Sequence, residues 1–302
     1  MQMCCRPVLV DVGIFVDEFY GVNNMEGTFK ANIYLLQKYY DRRNGFVGEP
    51  GQTKVYAHEQ MSLCETPKRR SDSVCWTPKI KISNMLESRK VGGTVVAFSN
   101  GTTERIERFE AIFETSLDFT VYPFDKQVLE IKVESDHMFV SHMWLREWAD
   151  VTGLNMEKYM ESIRNGMSRE QAFDEIRSPR QHLGPDLEWA VTGFKSRVEP
   201  VSPRYAELLV DGRAVDETKL RYVFALDVSR GAHAYVWNFI VPTNFLAVLS
   251  WSGFWISNAV LMPRLASAFV AYLTFQNFAS KSSGSLPLVT YVRMSMHVHT
   301  RV

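Results

Sequence analysis

The residues able to do covalent chemistry are few and wrongly spaced for it. His58-Glu59 opens like a metalloprotease motif, but Ser62 stands where a second zinc-binding histidine is required. No Gly-x-Ser-x-Gly nucleophile turn and no phosphate-cradling glycine loop occurs, and Gly92-Gly93 reads as a turn. His297 and His299 could share a metal, yet two histidines alone do not make a site. The four cysteines, Cys4, Cys5, Cys64 and Cys75, form no Cys-x-x-Cys pair and are too few for a disulfide scaffold. Neither enzymatic activity nor a metal or cofactor is therefore expected. Lys plus Arg total 34 and Asp plus Glu total 34, a balance without the basic excess that nucleic-acid binding needs.

The sequence carries a different kind of chemistry, that of selective passage through an apolar barrier. No Asp, Glu, Lys or Arg occurs between Arg230 and Arg264, and none between Arg264 and Lys281. A helix of about 20 apolar residues crosses a hydrocarbon core about 30 Å thick. Tyr235–Ile256 is long enough, its Trp and Tyr suit the interfaces, and its Pro242 is tolerated where neighbours satisfy the freed carbonyl. In the following segment, Ala266, Val270, Leu273, Asn277 and Ser280 fall on one stripe at about 100° per residue, while Phe269, Tyr272, Phe275 and Phe278 sweep the remainder. In a ring of such helices the stripe would face water, with Leu273 as a hydrophobic constriction that gates by dewetting. Arg264 opens this helix, either as a functional charge or as an anchor at the membrane surface.

Before Arg230 the pattern changes. KVYAHEQMSL, TVVAFSNGTTERIERFEAIF and QVLEIKVES alternate apolar and polar residues between Gly, Pro and Asn turns, and Asn100-Gly101 is a hairpin signal. Strands are expected near 8–23, 27–39, 53–63, 79–83, 94–113, 127–134, 187–198 and 219–228, which together suit a β-sandwich. Asn155–Arg177 is helix-like, with Ser168 and Gln171 spaced as a capping box, and reads as a solvated insertion spanning 150–186. The fold class is thus mainly β: a sandwich over 1–229 followed over 230–302 by a partial bundle of membrane helices, at about 234–257 and 263–281. MQMCCRPVLVDVGIF lacks a hydrophobic signal segment, and 288–302 cannot complete a third span, so a fragment or truncated gene product is expected. The sequon Asn100-Gly101-Thr102 has meaning only if the β part is exported.

These residues carry a resemblance. LDFTVYPFDKQ (Leu117–Gln127) resembles the signature loop of pentameric ligand-gated ion channels, the Cys-loop receptor superfamily. WTPKIKISN (Trp76–Asn84) is similar to the family's Trp-x-Pro strand and loop, and Arg230 and Tyr235 match the arginine and aromatic before its first membrane helix. IVPTNFLAVLSWSGFWIS resembles that helix in glycine and GABA receptors, and PRLASAFVAYLTFQ followed by SLPLVTYVR resembles the pore helix and the loop after it. Thr115 and Leu129 stand where animal members have the loop-closing disulfide, a departure shared with bacterial members; packing of Tyr122, Pro123 and Phe124 would have to hold the loop instead.

The resemblance implies an extracellular β domain on a multi-pass plasma-membrane protein. Its partners would be other subunits in a homo- or hetero-pentamer, the lipid bilayer, a small-molecule or ionic agonist, and a permeant ion, chloride. Tyr122, Pro123, Phe124, Asp125, Arg230 and Pro287 would couple the two parts, with Asp125 paired to Arg230, and the pore would be lined by Arg264, Ala266, Val270, Leu273 and Asn277. Chloride follows from Pro263-Arg264, which resembles the Pro-Ala-Arg of anion channels, and from the absence of a carboxylate in SNAVLMPR. The first two binding-loop positions are Ser83 and Asp136, not the aromatics that hold a cationic amine; Tyr205, Tyr222 and Phe224 are the remaining ligand candidates, and Trp76 and Trp189 read as scaffold. The rival function is a membrane-tethered β-sandwich that binds a ligand without conducting.

Overall fold

The computed structural model describes residues 7–42, 54–58, 77–136, 143–168, 171, 188–201, 218–255 and 261–284. Two sheets dominate. The larger is built from β1 (Val8–Asn23), β2 (Thr28–Tyr40), β3 (Lys54–His58), β5 (Met85–Phe98), β6 (Thr102–Glu114), β8 (Met143–Glu147) and β9 (Gly153–Leu154), in the order β3-β5-β6-β2-β1-β8 with β9 also on β1. The smaller has the order β10-β11-β7-β4, from β4 (Ile80–Ile82), β7 (Lys126–Ser135), β10 (Trp189–Val201) and β11 (Lys219–Arg230). Pairing is antiparallel except where β8 and β9 run parallel to β1.

Alternation puts the apolar set inside. Along β7, Gln127, Leu129, Ile131, Val133 and Ser135 face inward while Lys126 and Val128 face out, the period-2 signature of a sheet with one solvated face. Leu129 and Ile131 meet Phe29, Phe113, Tyr222 and Phe224 in one continuous core, with Phe29 and Phe113 stacked at 5.0 Å. The middle of β1 is buried on both faces, because helix α1 (Met156–Arg164) lays Tyr159 on Phe15 at 5.3 Å. Within the expected insertion, α1 is therefore docked on the core through its apolar face, with Met156 and Tyr159 buried. Beyond α1, the Ser168 and Gln171 side chains each accept the other's backbone N–H at 3.3 Å, as the capping-box spacing implied.

Two glycines are required by contact. A Cβ on Gly13 would lie 2.2 Å from the Val151 carbonyl oxygen, so β1 admits the 3-10 turn Ala149–Val151 only there. Gly101, at φ +95°, closes the β5–β6 hairpin, and its Cβ would lie 2.7 Å from the Asp41 carbonyl. Gly92-Gly93, read from sequence as a turn, lies instead inside β5, where the register against β6 shifts between Lys90 and Gly92.

Past Arg230 the chain is helical in consecutive pieces: a turn at His233–Tyr235, a π-helical segment Val236–Ile240, the helix Val241–Ser252, a 3-10 turn Gly253–Trp255, and then a long helix Leu261–Gly284 packed against Val241–Ser252. Among the described residues, no helix is long and apolar enough to cross a membrane. Across the helix expected over 234–257 the hydrogen-bond pattern changes from π-helical in Val236–Ile240 to α-helical from Val241, just before Pro242, which cannot donate to a carbonyl one turn back. Side chains compensate nearby: Thr243 Oγ donates to the Phe239 carbonyl at 2.6 Å and Asn244 Nδ2 to that of Ile240 at 2.8 Å. The long helix is diluted by the polar residues of its stripe, Asn277 and Ser280, and by Arg264 near its start.

Candidate functional site

The end of β11, the loop between β6 and β7, and the start of the helical run converge on one guanidinium. Register brings them there: Trp189 of β10 pairs with Arg230 of β11, and Gln127 of β7 with Val228. Arg230 Nε donates to Asp125 Oδ1 at 2.8 Å, and Nη2 donates to Asn24 Oδ1 at 3.0 Å and, longer, to Asp125 Oδ2 at 3.4 Å. Nη1 donates to Glu188. The backbone repeats the link, since the Arg230 N–H donates to the Asp125 carbonyl at 3.1 Å. Both charged side chains are withdrawn from water, Arg230 at 2% exposure and Asp125 at 0%, while the Glu188 carboxylate is half exposed. A buried ion pair of this kind survives only when its remaining polar atoms are also satisfied.

Aromatic rings complete the cage. The Arg230 guanidinium lies 4.1 Å from the Trp189 ring and 5.0 Å from that of Tyr122, close enough for cation–π attraction. Burial pushes the Tyr122 phenol up to about 12, against the smaller opposing pull of Arg230. Tyr122, joined to Pro123 by a cis peptide bond, packs edge-on against Tyr235 at 5.2 Å, and Tyr235 lies 5.0 Å from Phe239 in the π-helical segment. A continuous contact path thus runs from the β6–β7 loop to the helices.

The structure separates the remaining sequence-derived residues. It brings Tyr122, Asp125 and Arg230 together, with Phe124 exposed at the tip of the same loop. Pro287 and Tyr205 lie outside the described residues. Tyr222 and Phe224 are fully buried residues of the core between the sheets. The Tyr222 hydroxyl lies 3.2 Å from Thr152 Oγ1, burial raises its phenol pKa, and Phe224 stacks on Phe194 at 5.6 Å. Ser83 and Asp136 are tied into the smaller sheet, the first through its N–H to the Lys132 carbonyl at 2.7 Å, the second by an ion pair with Lys81 at 3.2 Å. On the long helix Ala266, Val270, Leu273 and Asn277 are exposed, whereas Ser267, Ala271, Thr274 and Phe275 are half-buried. Arg264 lies in its first turn.

Sequence reasoning missed Asn24 and Glu188 and took Trp189 for scaffold. Asn24 lies in the β1–β2 turn, 206 residues from Arg230, and no motif links them. A signal existed for the other two, because Glu188-Trp189 begins a strand that must pair with the one ending at Arg230.

The sequence was compared with known proteins. Residues 2–178 match the family model of the neurotransmitter-gated ion-channel ligand binding domain. The chain is 25% identical over 288 residues to a proton-gated ion channel of Gloeobacter violaceus, covering 95% of this chain and 67% of the relative. It is 23% identical over 291 residues to the gamma-aminobutyric acid receptor subunit pi of Bos taurus, covering 93% and 54%. To the pH-sensitive chloride channel 2 of Anopheles gambiae it is 23% identical over 285 residues, covering 91% and 40%. The chain therefore spans between two fifths and two thirds of the length of these curated relatives.

Proposed function

Because the chain belongs to the neurotransmitter-gated ion-channel ligand-binding-domain family, we propose that it is part of a subunit of a pentameric ligand-gated ion channel selective for anions. Residues 1–229 form the extracellular ligand-binding part and 230–302 the membrane part. The observation that carries this reading is the Arg230 cluster, which ties the β6–β7 loop, the last strand and the first helical turn into one buried joint. A binding module without a pore has no need to spend a buried ion pair at that junction, whereas a ligand-driven channel requires a stiff connection there.

Passage through the membrane is supported by what the helices leave uncovered. Trp237, Phe245, Val248, Trp251, Phe254 and Trp255 are exposed large apolar side chains in the first helical run, and Phe269 and Tyr272 continue the surface on the long helix. Uncovered apolar area of this extent marks a surface for lipid or for other subunits. In a pore helix a water-facing stripe lowers the mean hydropathy below that of a lipid-embedded span. The stripe Ala266, Val270, Leu273, Asn277 is exposed beside the half-buried Ser267, Ala271, Thr274 and Phe275, which suits an axis lined by five copies. Arg264, with no carboxylate in Ser257–Arg264, would repel cations at that axis.

The second reading is a membrane-tethered sandwich that binds a ligand without conducting. Electrical recording from membranes containing the protein separates the two. Current evoked by an applied agonist, protons and small acids being the first to try, supports the channel. Ligand binding with no conductance supports the module. Glycan attachment at Asn100 in a eukaryotic host supports the extracellular placement, and protease access to the β part only from the cytoplasmic side contradicts it.

A further inference from the structure

Gln127 is uncharged and buried, and both ends of the 118–127 loop meet on its side-chain amide. Its Oε1 accepts the Asp118 N–H at 3.0 Å, and its Nε2 donates to the Asp118 carbonyl at 2.6 Å and to Asp125 Oδ2 at 2.7 Å. Both amide hydrogens and the carbonyl are thereby used, so the group has one satisfied orientation. Asp118 in turn accepts the Thr120 N–H on its own carboxylate at 2.9 Å, carrying the order one step into the loop.

The consequence lies in how Asp125 presents itself. Gln127 holds Oδ2, and Arg230 Nε takes Oδ1 at 2.8 Å, while its second approach to Oδ2 is long at 3.4 Å. The carboxylate is shared between two donors that approach from different elements, and neither alone fixes its plane. We infer that Gln127 is the positioning residue of this joint: it closes the 118–127 loop without a covalent bond and aims the Asp125 carboxylate at Arg230. The inference deepens the channel reading and rests on it only for the consequence in gating. The closure itself is a property of the β part.

The test uses the full chain in lipid nanodiscs, with backbone amide exchange followed at 118–125 and, for reference, on β1, β2 and β10. Gln127→Met keeps length and packing but removes all three hydrogen bonds. It should speed exchange at 118–125 by about tenfold while leaving the reference strands unchanged. Gln127→Glu keeps the shape but sets a carboxylate against Asp125, with Asp118, Arg230, Glu188 and Tyr122 the other titratable groups facing the site among the described residues. A proton shared by two close carboxylates is held to higher pH than by either alone. Exchange in this variant, corrected for intrinsic rates, should therefore match Gln127→Met at pH 7.5 and return toward wild type at pH 5. This reversal within one sample keeps the test decisive if Gln127→Met fails to fold. Unchanged exchange at 118–125, an equal rise on the reference strands, or no recovery of Gln127→Glu on acidification would overturn the inference. Currents recorded in parallel separate the two ideas: absent wild-type current removes the channel reading alone, and unchanged exchange beside intact current removes the role of Gln127 alone.

Discussion

At the scale of single residues the joint is an electrostatic commitment. Asp125→Ala leaves Arg230 buried against a half-exposed Glu188 and should cost about 3–5 kcal/mol, the usual penalty for stranding one partner of a buried pair. The double variant Asp125→Ala with Arg230→Met should recover much of that loss in denaturant unfolding. Additive losses would mean that the two side chains do not act together. Tyr122 supplies a pH signature. Its phenol rises from 10.0 to about 12 in the folded protein, so its contribution to stability is fully present below pH 10 and is lost as pH climbs toward 12. Tyr122→Phe should flatten the fall in stability across that window, and an unchanged slope would show that the ring titrates freely in the native state. Much of this joint was legible in the sequence, because Tyr122, Asp125 and Arg230 sit in motifs that resemble a known family. The ring and carboxylate contributed by Trp189 and Glu188, and the amide of Asn24, were not legible as a site. They come from two segments far from Asp125 and Arg230 in sequence, and only strand pairing and the β1–β2 turn bring them within reach.

At the scale of elements, a strand with one solvated face could be read directly, as in β7, and the long apolar runs of β1, β2 and β11, buried on both faces in their middles, were legible by composition and length. The Asn100-Gly101 hairpin formed where its turn chemistry placed it. The first half of β5 escaped notice because Leu86 to Gly92 are exposed and carry no alternation, and β8 and β9 because five and two residues hold too little pattern. Tyr222 and Phe224 were open to two readings because an aromatic in a central strand and one in a binding pocket look alike in one dimension. Pro242 was seen, but not the π-helical segment that precedes it, since side chains rather than spacing satisfy the carbonyls beside it. The close approach at Gly13 gives an element-scale test. Gly13→Ala places a methyl 2.2 Å from the Val151 carbonyl, so β1 and the 149–151 turn must separate. A loss of about 1–3 kcal/mol is expected in denaturant unfolding, whereas a variant as stable as wild type would show that the turn is not held against the strand.

At the scale of the whole molecule, a β-sandwich is joined by a buried ion pair and a ladder of aromatic rings to helices whose apolar surface is uncovered. In the five-fold ring proposed above Leu273 would form the narrow apolar girdle, and Leu273→Ser should then wet it, giving constitutive current or greater agonist sensitivity. Unchanged leak and sensitivity would place the gate elsewhere. Arg264→Lys should keep the ion preference and Arg264→Glu should weaken or reverse it, because only the sign of the ring charge differs. The most direct measurement is the reversal potential of agonist-evoked current in membranes containing the protein under a chloride gradient. A channel built as proposed gives evoked current whose reversal follows chloride, whereas a reversal that follows sodium, or the absence of any evoked current, contradicts it.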